Sequence, residues 1–112
     1  MSNTALSQRT TITASTAETV IVSADPNFRT QLTGLVITTT NALPGTLTLR
    51  DSVGGSVRLV IDYPNAAVIP GSPFVWSFNP PLSPSLNSNS PWTLQASANA
   101  NSINVLASFQ EA

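Results

Sequence analysis

Few side chains here could do acid–base chemistry. The chain has five carboxylates, Glu18, Asp25, Asp51, Asp62 and Glu111, and four arginines, Arg9, Arg29, Arg50 and Arg58. It has no His, no Cys and no Lys. A glycosidase needs two carboxyls facing one cleft, about 5 Å or about 6.5–9.5 Å apart. Asp51 and Asp62 flank one predicted hairpin but at opposite ends, with Arg50 and Arg58 as their expected partners. A serine nucleophile would lack its usual base, and zinc would lack imidazole and thiolate ligands. Neither a phosphate-binding glycine loop nor a calcium-loop spacing occurs. Gly54-Gly55 reads as a turn. Asp25-Pro26-Asn27 reads as an Asx turn before it reads as a weak calcium site. The expectation is a protein with no enzyme activity, no catalytic residue, no cofactor and no metal.

The elements that must position these groups are strands. Ser, Thr and Asn make up roughly a third of the residues and compete with helical backbone bonding. Period-2 alternation recurs over Thr10–Thr16, Glu18–Ala24, Gln31–Thr40, Thr46–Asp51, Val57–Tyr63, Phe74–Phe78, Trp92–Ser97 and Ile103–Phe109. The nine prolines fall between these runs, where a missing N–H costs no ladder bond. About eight strands with turns between them predict an all-β domain, an antiparallel sandwich or barrel. No fixed short repeat supports a solenoid, and the Thr-x-Thr patterns are better explained by β-propensity than by an ice-binding array. With 41% hydrophobic residues, one folded domain over residues 10–112 is expected, preceded by a polar, flexible arm over residues 1–9. Leu35-Val36-Ile37 is apolar on both faces, which predicts that the middle of its strand is covered twice.

One hairpin can be placed in register. A Val53-Gly54-Gly55 loop pairs Leu49 with Leu59 and Leu47 with Ile61, with Asp51 opposite Val57. Arg50 then stands opposite Arg58, either screened by Asp51, Asp62 and water or offering two guanidinium forks to an acidic neighbour. Phe74, Trp76 and Phe78 share a face and read as core. Trp92 and Tyr63, each at a strand end beside a proline, are the better candidates for an exposed sugar-stacking patch. The stretch from Asn79 to Pro91 is long for a loop inside a compact domain. Within it, Leu82 and Leu86 either pin it to the sandwich or dock on another chain.

Net charge is −1 with only 8% charged residues, which argues against nucleic-acid binding. No run approaches the ~20 apolar residues of a membrane helix, and Met1 to Arg9 has no secretory pattern. A soluble protein made in a cytoplasm is expected.

The stretch Pro73-Phe74-Val75-Trp76-Ser77-Phe78-Asn79-Pro80-Pro81-Leu82 carries a resemblance. So does the ending Trp92-Thr93-Leu94-Gln95-Ala96-Ser97 through Ile103-Asn104-Val105-Leu106-Ala107. With the Ser/Thr/Asn-rich surface and short polar arm, the chain from about Thr10 onward resembles small capsid decoration, or cement, proteins of tailed bacteriophages. The resemblance implies a jelly-roll-like sandwich that forms a homo-oligomer, a dimer or trimer. It implies a place on the virion exterior, bridging neighbouring copies of the major capsid protein. On that reading the contact residues are the N-terminal arm with Arg9, then Arg29, Arg50 and Arg58, with Leu82 and Leu86 if the loop docks. The alternatives are a glycan-binding tail or head-fibre module, and a neck or tail connector subunit.

Overall fold

A computed structural model describes residues 6–13, 16–39, 45–63, 74–97 and 102–112. The described residues form eight strands and no helix: β1 (Leu6–Thr13), β2 (Thr19–Val22), β3 (Thr30–Thr39), β4 (Gly45–Arg50), β5 (Val57–Tyr63), β6 (Phe74–Ser77), β7 (Trp92–Ala96) and β8 (Ser102–Glu111). Each strand overlaps one of the alternating runs. The first begins earlier than its pattern implies: Leu6–Arg9, expected in the arm, pair with β8 from Leu6 opposite Phe109. Residues 1–5 of the expected arm lie outside the described residues.

The strands form two four-stranded antiparallel sheets, ordered β1-β8-β3-β6 and β2-β7-β4-β5. Among the strand-to-strand connections only β4 to β5 stays within one sheet; every other one crosses to the opposite sheet. That is the order of an eight-stranded jelly roll, a sandwich built from two interleaved Greek keys. The core lies between the sheets. Ile12, Leu32, Leu35, Ile37, Ile103 and Val105 come from the first sheet, and Ile21, Leu47, Leu49, Ile61, Trp92 and Leu94 from the second. Trp76, Phe78, Leu59 and Phe109 pack around this cluster, and the Trp76 and Phe78 rings are stacked 6.1 Å apart.

Three bulges change what alternation predicts. Each inserts an extra residue and redirects the side chains beside it. In β2 the register shifts between Val20 and Val22, so Ile21 and Val22 are both buried while Val20 is exposed. In β3 the shift falls between Leu32 and Gly34. In the β4–β5 hairpin, Leu47 faces Ile61 and Leu49 faces Leu59 as expected, but a shift then sets Arg50 opposite Val57. The expected pairings of Asp51 with Val57 and of Arg50 with Arg58 are therefore corrected. Gly54 has φ +66°, the left-handed conformation that the tight turn demands. The double cover expected over β3 is also corrected within the chain: Leu35 and Ile37 are buried, whereas Val36 is only half-buried on the outer face.

Candidate interaction surface

The segment from Phe78 to Pro91 crosses from β6 to β7 and closes one end of the sandwich. Its first half runs along β3 as an irregular continuation of β6. Phe78 N–H donates to Thr33 O at 2.9 Å, Leu82 N–H to Leu32 O at 3.2 Å, and Ser85 N–H to Thr30 O at 2.8 Å. Pro80, Pro81 and Pro84 bring no N–H, so they leave no donor stranded against the sheet. The Asn79–Pro80 bond is cis. The segment then reaches the second sheet, where Leu86 N–H donates to Asp51 O at 3.3 Å. Asn89 N–H donates to Asp25 O at 2.6 Å.

Two arginines hold the segment by its carbonyls. Arg29 Nε donates to Ser85 O at 2.6 Å. Arg58 uses all three guanidinium nitrogens: Nε donates to Asp51 Oδ2 at 2.8 Å, Nη1 to Ser83 O at 3.1 Å and Nη2 to Pro84 O at 2.9 Å. Its guanidinium carbon lies 5.6 Å from the centre of the Trp92 ring. Asp51 is 2% exposed and forms with Arg58 an ion pair in which the arginine is about a quarter exposed. A planar fork suits this work because its donors diverge at fixed angles toward several acceptors at once. Beneath it, Trp92 Nε1 donates to Thr30 O at 3.2 Å, and Thr30 N–H donates to Ser85 Oγ at 3.1 Å. The Thr30 hydroxyl itself is buried without a partner.

The outer side of this end exposes three aliphatic side chains among Ser and Asn residues. Leu82 packs against the core, but Leu86 is 51% exposed. The amide of Leu86 is tied to Asp51, which sets it beside the β4–β5 turn. There Val53 and Val57 are 67% and 51% exposed. Of the two fates expected for the loop leucines, Leu82 takes the first and pins the loop to the sandwich, while Leu86 is exposed. Trp92 is fully buried, so it is no part of an exposed sugar-stacking patch; it begins a strand with neighbours on both sides and its indole N–H is spent on β3. The Tyr63 side chain lies outside the described residues.

The remaining candidates sit elsewhere. Arg50 Nη1 donates to Gln95 Oε1 at 2.8 Å on the outer face of the second sheet, and Gln95 Nε2 donates to Thr16 O at 3.1 Å. Both Glu18 oxygens accept from Gly54 N–H at 3.0 Å, and Thr93 Oγ1 donates to the same carboxylate. Glu18 therefore staples the entry to β2 onto the hairpin turn, a role its sequence context does not announce. Asp25 Oδ1 accepts from Asn27 N–H at 2.8 Å, the Asx turn expected there. Arg9 lies on the edge strand β1, opposite Leu106 of β8. Among the described residues no three carboxylates gather as a metal site.

No protein-family model matches this chain, and no curated protein matches it. A solved structure from Bacillus endospore appendages, described as a novel family of disulfide-linked pili, aligns with a TM-score of 0.47 and 13% identity. The alignment covers 99% of this chain and 93% of that one.

Proposed function

We propose that this chain is a structural virion protein of a tailed bacteriophage, a capsid decoration or cement protein that bridges neighbouring major capsid proteins. The reading rests on the resemblance set out above and on one feature of the fold: the clamped end bearing Leu86, Val53 and Val57. A loop held by Arg29, Arg58 and five backbone N–H donors enters a complex already ordered. Little conformational entropy is then lost on docking, which leaves more of the contact energy as affinity. Leu86, Val53 and Val57 are aliphatic and the exposed residues around them, Ser56, Ser83, Asn87, Ser88 and Asn89, are uncharged, so this end can be desolvated without stranding a charge. A domain that binds only assembled capsomers stabilises the assembled state by mass action, and many weak copies on one shell suffice. The contact residues on this reading are Leu86, Val53 and Val57, with Arg29, Arg58 and Leu82 holding the loop that presents them.

Purified particles test the proposal. Mass analysis should count hundreds of copies per particle, and stripping them should lower the temperature of genome release. Leu86→Asp protein should fold normally yet fail to rebind stripped particles. Unchanged release temperatures after stripping, or a count of a dozen or fewer, would overturn the cement role.

A further inference from the structure

The outer face of the first sheet carries a row that the sandwich core does not use. Arg9 of β1 stands opposite Leu106 of β8, Leu106 opposite Val36 of β3, and Val36 opposite Val75 of β6. The row crosses all four strands in register. Val75 is 66% exposed and Leu106 37% exposed, although both belong to well-paired strands. A shallow concavity of about 390 Å³, lined by Arg9, Leu106, Val36, Thr38 and Asn104, occupies one end of it, and Val75 stands at the other. Flanking rows are small or neutral, with Thr11 bonded to Asn104 at 3.0 Å on one side and Ser108 beside Gly34 on the other.

We infer that this face is covered by a second copy of the chain, in a two-fold dimer whose axis runs parallel to the strands between β8 and β3. Such an axis reverses the row. Leu106 of each copy meets Val36 of the other, and each Val75 enters the partner's concavity against the stem of Arg9. The surface is therefore complementary to itself, as an isologous interface requires. Four strands at about 4.8 Å spacing and roughly eight residues at about 3.3 Å rise give a face of roughly 500 Å². β6 is short, but the segment after it continues along β3 and fills the width. Two such faces bury roughly 1,000 Å² together, the lower bound for a specific interface. The two Arg9 columns lie about 14 Å apart across the face, beyond a Debye length of about 8 Å. Each guanidinium stays at the rim while its stem is buried. The second cover that Leu35-Val36-Ile37 calls for is then supplied by the partner.

Sedimentation of the full chain over micromolar to millimolar concentrations reads the outcome. A reversible monomer–dimer equilibrium is expected, abolished by Leu106→Asp with the circular dichroism spectrum and melting temperature of the monomer retained. Val75→Arg should weaken the dimer at least tenfold, and adding Arg9→Glu should restore it to within a few-fold, because these two positions meet across the axis. A monomer at every concentration overturns the proposal, as does a dimer indifferent to Leu106→Asp. A monomer whose Leu106→Asp variant loses only particle binding would assign the face to the capsid and overturn it too. Because Leu86 lies outside this face, failure here leaves the cement reading standing.

Discussion

Arg58 commits all three of its guanidinium nitrogens to the fold. Its three nitrogens tie Asp51, Ser83 and Pro84 while its face covers Trp92. Arg58→Ala leaves a buried carboxylate unpaired and two carbonyls without donors. Loss of one partner of a fully buried pair costs about 3–5 kcal/mol; partial exposure of the guanidinium reduces the expectation to about 2 kcal/mol, read from urea unfolding. Arg58→Lys should recover less than half of that, because an ammonium on a single stem does not reach three divergent acceptors. Thr30 behaves in the opposite sense. Its backbone serves Ser85 and Trp92, but its buried hydroxyl has no partner. Thr30→Val should therefore raise stability by about 1 kcal/mol, seen as a rise of roughly 4 °C in the melting temperature.

At the scale of elements, the crossing segment of residues 78–91 behaves as part of the sheet. Amides that bond to β3 and Asp51 are closed to water as long as the clamp holds. Hydrogen exchange should show Leu82, Ser85 and Leu86 protected like strand residues, and that protection should fall together, by tenfold or more, in an Arg29→Ala/Arg58→Ala variant. Rapid exchange at these amides in the wild-type chain would mean that the end is not preordered. The bulges matter at the same scale. In the β4–β5 hairpin the extra residue is Arg58 itself, which reaches Asp51 and the loop, while Arg50, in unbroken register with β7, bonds Gln95. Without the bulge, the two arginines would stand side by side and the loop would lose its clamp.

For the whole molecule, one core between two sheets leaves apolar side chains exposed at the clamped end around Leu86, across the outer face of the first sheet, and at Val20 and Val60 of the second. On the proposed reading, separate surfaces would allow self-association and attachment to proceed together, multiplying weak contacts on a repeating lattice. If the dimer forms, the midpoint of thermal unfolding should rise with protein concentration, and the Leu106→Asp variant should lose that dependence.

Alternation and proline placement by themselves determined the all-β class, the eight strands and the Leu47–Ile61 and Leu49–Leu59 register, because they report the geometry of a chain against its immediate neighbours. Asp51 and Arg58 could be read as partners for the same reason, lying 7 positions apart on one hairpin. Only the tertiary structure decided the rest. Arg58 meets Pro84 across 26 positions, and Trp92 meets Thr30 across 62. No local pattern encodes which strand comes to lie opposite another, so Trp92 reads as a rim residue until β3 is placed above it. Likewise, an apolar run shows that Val36 seeks cover, but whether this chain supplies it depends on how many layers the fold stacks. This fold stacks two, and leaves Val36 facing outward.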